Sequence, residues 1–123
     1  MRTRIATILV GLSLLVSGCA NAVVIAEHTI EAGADEWHAV YSGKLDDCKA
    51  AHPPRTPEAE ACFGPWYDAD EQVGSALAIA VAALRAYWRA RSLGQRPSIP
   101  ATLSALRDAL AALPPEAREY FAR

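Results

Sequence analysis

The chain has 123 residues, the length of one small domain that can bury a single modest core. It carries 12 Lys and Arg against 14 Asp and Glu, so its formal net charge is −2 at pH 7. This near-balance gives no indication of nucleic-acid binding, which depends on clustered positive charge.

The N-terminus is typical of an exported protein. A short cationic stretch, Met1–Arg4, is followed by an apolar run from Ile5 to Val16. Because a membrane-spanning helix needs about 20 apolar residues, this run predicts a signal peptide over residues 1–18. The end of the run, Val16-Ser17-Gly18-Cys19, resembles the lipobox of bacterial lipoproteins.

The resemblance implies a lipid anchor on Cys19. In bacterial lipoproteins this cysteine receives diacylglycerol, the signal peptide is cut before it, and the new amino terminus is acylated, commonly with palmitate. In a Gram-negative host, Ala20 at the next position implies the outer membrane, facing the periplasm. An ordinary secretory signal and an uncleaved anchor are the alternatives. The expected divisions are the signal peptide, a lipidated N-terminus (19–22) and one helical domain (23–123).

Two further cysteines, Cys48 and Cys62, remain after cleavage. In an exported chain an even pair predicts a disulfide. Zinc binding is the alternative because His52 follows Cys48 by four residues, but a zinc site needs three or four protein ligands and the sequence offers too few. Closing a loop of this size stabilises a fold by about 3 kcal/mol in the chain-entropy model.

Apolar spacing predicts an all-α fold: a disulfide-linked antiparallel helical hairpin with a third packed helix. The first helix is expected from about Ala22 to Ala51, with a weak point at Gly33. The second is expected from Pro57 to about Ser92, where Gly64-Pro65 can introduce a kink. The third helix has a/d spacing of its apolar residues, which are Ile99, Leu103, Leu106, Leu110 and Leu113.

Residues that favour helix ends support these bounds. Thr56 can cap the second helix, Ser98 can cap the third, and Gly94 stands where a C′ glycine belongs. Pro114-Pro115 ends the third helix, and residues 115–122 can form one last turn.

The disulfide also predicts the register of the hairpin. If the two cysteines lie level, residues whose numbers sum to about 110 face one another. Apolar residues then meet apolar residues, in the pairs Trp37–Val73, Tyr41–Ala69, Ile30–Ala80 and Ala26–Leu84.

The basic residues of the second helix return to the lipidated end in this register. Basic side chains beside a tryptophan can contact anionic head groups, and the predicted membrane contacts are Arg85, Arg89, Arg91 and Trp88. The hairpin would then stand upright, with its tip roughly 40 Å from the anchor. The alternative is that these arginines pair with Glu27 and Glu31 on a solvated face.

Acidic residues gather towards the other end, near the cysteine pair. A solvated acidic tip is one interpretation, and a site for a basic partner or a cation is the other. The predicted partner contacts are Asp46, Asp47, Asp68, Asp70 and Glu71. The uncharged run Val73–Leu84 is too short to span a bilayer and is expected to be a core helix. Its small residues would let a neighbouring helix approach closely, from this chain or a second copy.

No catalytic, cofactor or metal-binding motif is present: there is no phosphate loop, nucleophile elbow or paired metal-binding histidines. We therefore expect a non-enzymatic envelope lipoprotein without cofactor or metal, acting as a structural or protein-interaction module. Its partners would be the bilayer, another protein or a second copy. One alternative is a phage lysis lipoprotein resembling an outer-membrane spanin subunit. Another is an inhibitor of a periplasmic hydrolase, acting through the loop Ala50–Pro57.

Overall fold

The computed structural model describes residues 21–122. This part of the chain contains no strand and forms four helices: α1 (Asn21–Ala51), α2 (Pro57–Ser92), α3 (Ile99–Ala111) and α4 (Pro115–Phe121). At 1.5 Å per residue, α1 and α2 are about 46 and 54 Å long. The predicted all-α hairpin with a packed third helix is confirmed, and the expected last turn is a separate short helix.

The helix ends follow from the capping residues. The hydroxyls of Thr56 and Ser98 each accept a hydrogen bond from the backbone N–H three residues on, both at 3.2 Å. At the end of α2, Gly94 takes a left-handed conformation with φ of 73°. The Gln95 N–H then bonds the Ala90 carbonyl at 2.9 Å, which forms a Schellman motif.

Both long helices continue through the residues expected to weaken them. Helix α1 is unbroken at Gly33, where a side chain would collide with α4: a Cβ atom built there would lie 2.5 Å from the Phe121 ring and 3.0 Å from its Cα. Gly33 is therefore a packing position, and the helix is not interrupted at the predicted weak point. Helix α2 likewise contains Pro65 in its interior and remains one helix.

The core nearer the N-terminal end of α1 is aliphatic, and we call it the aliphatic core. Its buried members come from α1, α2 and α3: Ala22, Val23, Ile30, Ala80, Leu84, Tyr87, Leu103, Leu106 and Ala109. Because α3 packs mainly on α2, its a/d leucines cover this part of the hairpin. The predicted pairs Ile30–Ala80 and Ala26–Leu84 both belong to this core.

The second core lies farther along the hairpin, and we call it the aromatic core. Its buried members include α4 residues as well as hairpin residues: Trp37, Ala69, Val73, Ala76, Leu113, Ala117 and Phe121. The predicted pairs Trp37–Val73 and Tyr41–Ala69 both belong here. Each predicted pair therefore falls within one core, as the register requires.

Beyond the aromatic core, the hairpin is held by its disulfide. Cys48 and Cys62 are bonded, with their Cα atoms 5.8 Å apart, which confirms the predicted pair. Neither core contains a residue from 42–65, and we call this part the distal end. No helix in residues 21–122 is long and apolar enough to cross a membrane.

Candidate interaction face

The sequence raised three possible sites besides the charged clusters: the lipidation site, a metal site and an inhibitory loop. Cys19 and the signal peptide lie outside the described residues, so lipidation stays a prediction. Over residues 21–122 no group of three His, Cys, Asp or Glu residues is arranged to hold a metal ion. The loop predicted to act in hydrolase inhibition lies at the distal end, where Arg55 has a positive φ of 63° and is exposed.

The structure divides the predicted acidic partner contacts into two groups. Asp46 and Asp47 are exposed at the distal end, next to the disulfide. Asp68, Asp70 and Glu71 lie two turns farther along α2, beside the aromatic core. Position along the hairpin therefore separates residues that the sequence placed in one cluster.

The direction of each side chain divides the α2 acids again. Asp70 is half-buried and accepts a hydrogen bond from the Trp37 indole N–H at 3.0 Å. Burial raises the pKa of the neighbouring Tyr41 hydroxyl, and the charge of Asp70 raises it further. Asp70 is thus part of the packing between α1 and α2, whereas Asp68 and Glu71 are exposed on the opposite side.

At the other end of α2, Arg85, Arg89 and Arg91 are all exposed. Trp88 is half-buried and donates its indole N–H to Glu27 at 2.9 Å. The Arg91 guanidinium lies over the Trp88 ring, 5.9 Å from its centroid. Trp88 therefore already has partners within the chain, and the contact of these residues with a membrane stays a prediction.

The arginines do not pair with the carboxylates proposed as the alternative. Glu27 accepts the Trp88 hydrogen bond, and the Glu31 carboxylate oxygen Oε2 lies 3.7 Å from Nδ1 of His28. Arg85 and Arg89 thus have no carboxylate partner in the described part of the chain. Their charge faces solvent.

The outer face of α2 brings several of these residues into line. Seven exposed residues follow one another at alternating spacings of three and four: Asp68, Glu71, Ser75, Ala78, Ala82, Arg85 and Arg89. We call this line the outer stripe. Most of its members follow a buried α2 residue by two positions, which is about 200° of rotation, so the stripe points away from both cores.

The centre of the outer stripe is uncharged and apolar. No charged residue occurs in α2 between Glu71 and Arg85, and two large side chains flank Ala78, with Ile79 52% and Val81 40% exposed. An open groove of about 380 Å³ lies beside the stripe, between Glu71, Ser75 and Ile79 of α2 and Ala112, which directly follows α3. The surface has room for side chains from another molecule.

The uncharged run was predicted to be a core helix whose small residues let a neighbouring helix approach, but the prediction did not separate its buried face from its exposed one. The signal was present in the same run. Buried residues such as Val73, Ala76 and Ala80 lie on one face of the helix, and the intervening residues repeat with the same period on the opposite face.

No family model, curated protein or solved structure matches the chain.

Proposed function

We propose that this protein is a non-enzymatic lipoprotein of the bacterial cell envelope, anchored through acylated Cys19 and facing the periplasm from the outer membrane. Its helical body acts as an interaction module, and the outer face of α2 is the contact surface. The observation that carries this proposal is the exposed, uncharged centre of that face, bounded by acids at one end and arginines at the other.

The physical argument is the cost of leaving this surface in water. Exposed apolar residues are common singly, but a contiguous apolar patch with a polar rim is typical of interaction sites. Ile79 and Val81 stand on the two sides of Ala78, and neither is covered by α1, α3 or α4. The small residues between them let a second backbone approach closely, which increases the dispersion contacts that a partner helix gains.

The anchor is tested by replacing the acylated residue. We expect Cys19→Ser to abolish incorporation of a labelled fatty acid and to leave uncleaved precursor. Cys48→Ser is the matched control, since it removes another cysteine without touching the lipobox. A labelled Cys19→Ser protein would contradict the lipoprotein assignment.

The contact surface is tested by photo-crosslinking in cells that make the full chain. A photoreactive residue at Ile79 should form discrete crosslinks to a protein of the envelope. The same residue at Ala39, an exposed position on α1, is the control for random collisions and should form few. Equal or absent crosslinking at both positions would contradict the proposed interaction face.

A further inference from the structure

We infer that the occupant of the outer stripe is a second copy of this chain, packed antiparallel through α2. The inference deepens the proposed function, because it rests on the same face and names the partner. It depends on the order of charges along the stripe, on the two exposed apolar side chains at its centre and on the open groove beside it.

The order of charges makes the stripe complementary to itself. Its α2 N-terminal part holds Asp68 and Glu71, and its C-terminal part holds Arg85 and Arg89. If two α2 helices cross antiparallel at Ala78, residues whose numbers sum to about 156 face one another. Glu71 then faces Arg85 of the second copy, Asp68 faces Arg89, and the two-fold axis repeats each pair.

The opposite orientation is disfavoured by the same charges. Two parallel α2 helices in register would place acid against acid and arginine against arginine. Like charges at such positions are destabilising, whereas the antiparallel arrangement converts each of them into an attraction. The four charged groups have no ion-pair partner among the described residues, so they are free to make these contacts.

The centre of the stripe supplies the apolar contact. In the antiparallel register Val81 of one copy lies level with Ser75 of the other, and Ile79 lies on the side of the groove lined by Ser75 and Ala112. Burying Val81 and Ile79 removes the two large apolar side chains that this face leaves in water. Ala78 lies on the two-fold axis, where its small side chain permits a close crossing.

A membrane surface accounts for less of the same pattern. Anionic head groups would attract Arg85 and Arg89 but repel Asp68 and Glu71, which share the face. One molecule also cannot be in the antiparallel pair and stand upright with its arginines on the membrane at the same time. In the antiparallel pair the N-terminal ends of the two α1 helices lie roughly 30 Å apart along the α2 axis. Both anchors can then enter one bilayer only if the hairpins lie along it, not upright.

The test uses the full lipidated chain in cells, with single cysteines placed on the outer stripe. Ala78→Cys should form a disulfide with its own second copy, since the two-fold axis brings the two sulfurs together. Ala39→Cys on α1 is the control and should form no disulfide between two copies. Retention of the Cys48–Cys62 disulfide, judged by mobility without reductant, shows that the variants are folded.

Orientation is read from mixed pairs. Cells that co-express Glu71→Cys and Arg85→Cys chains should yield the mixed dimer in at least tenfold excess over either self-dimer. Glu71→Cys self-dimers in excess would show a parallel pair and overturn the inference. On an Ala78→Cys background, Glu71→Arg should lower the dimer yield about tenfold because repulsion replaces attraction twice. Adding Arg85→Glu should restore the yield.

The remaining outcomes separate this inference from the proposed function. Crosslinks from Ile79 to a different protein, with no Ala78→Cys dimer, would overturn the second copy as occupant and leave the interaction face standing. Loss of vesicle binding by Arg85→Glu with Arg89→Glu, without any Ala78→Cys dimer in the parent, would show that the arginines serve the membrane and would overturn the inference. Absence of both the Ile79 photo-crosslinks and the Ala78→Cys disulfide would overturn the interaction face and the second copy as its occupant.

Discussion

The two ends of the hairpin are stabilised in different ways. At the N-terminal end of α1, three helices enclose the aliphatic core, and Val23 is fully buried within it. At the distal end only α1 and α2 meet, neither core extends there, and the Cys48–Cys62 disulfide joins them. Two helices alone bury little apolar surface. A covalent link is therefore placed where tertiary burial is least available.

The two cores also share one kind of hydrogen bond across the hairpin, with donor and acceptor helices exchanged. Trp37 of α1 donates to Asp70 of α2, whereas Trp88 of α2 donates to Glu27 of α1. Each bond spans the hairpin and satisfies an indole N–H whose ring is packed inside. The pair shows that carboxylates on a hairpin of this kind can be structural, so an acidic count does not by itself define a binding surface.

The largest effect is expected from shortening the buried leucine of the α3–α4 connection, which packs in the aromatic core. Leu113 is 2% exposed, and Leu113→Ala should lower the free energy of unfolding by about 2–5 kcal/mol through lost transfer energy and a cavity. Leu93→Ala is the control, because Leu93 is 65% exposed and should change stability by less than about 0.5 kcal/mol. Urea unfolding measures both. Similar effects at the two positions would contradict the assignment of Leu113 to the core.

The disulfide should matter most at the distal end. Replacing Cys48 and Cys62 together by serine should cost about 3 kcal/mol in the chain-entropy model, for residues separated by 14 in sequence. Hydrogen exchange should show the greatest loss of protection in residues 42–65, because this end opens locally without its clamp. An equal loss in the aliphatic core, or none anywhere, would contradict the comparison of the two ends.

The two tryptophans provide a matched pair of smaller changes. Trp37→Phe and Trp88→Phe each remove an N–H donor from a carboxylate, and hydrogen bonds to charged groups contribute about 1.5–3 kcal/mol. We expect the larger loss for Trp37, which is 2% exposed, because its smaller replacement also leaves a cavity. Thermal unfolding ranks the two variants. A larger loss of stability for Trp88→Phe would contradict the expected order, because it would make the Trp88–Glu27 bond contribute more than the Trp37–Asp70 bond.

The smallest effect concerns pH and distinguishes the aromatic core from the rest of the fold. Burial and then the charges of Asp70 and Tyr67 raise the pKa of Tyr41 above its ordinary value of 10.0. The unfolded chain therefore ionises first as pH rises. Stability from this group is full below pH 10 and is lost as pH climbs from 10 through the folded pKa. Tyr41→Phe should make the free energy of unfolding fall less steeply with pH above 10. An unchanged slope would contradict a contribution from Tyr41.

The sequence alone determined the helices, their ends and the disulfide. These features depend on local rules: apolar period, capping by Thr56 and Ser98, and an even cysteine pair after the predicted signal peptide. All of them hold within residues 21–122. Lipidation of Cys19 is also a sequence inference, carried by the resemblance of its four-residue motif, and it stays a prediction.

Only the tertiary structure decided what each helical face contacts. Gly33 is a weak helix former by its residue type, yet it is the position where Phe121 packs against α1. Asp68 and Asp70 differ by two positions in sequence, yet one is exposed and the other accepts the Trp37 hydrogen bond. The reason is geometric: two residues along a helix rotate the side chain by about 200°. The docking of α3 and α4 then determines which face of the hairpin is covered and which stays exposed.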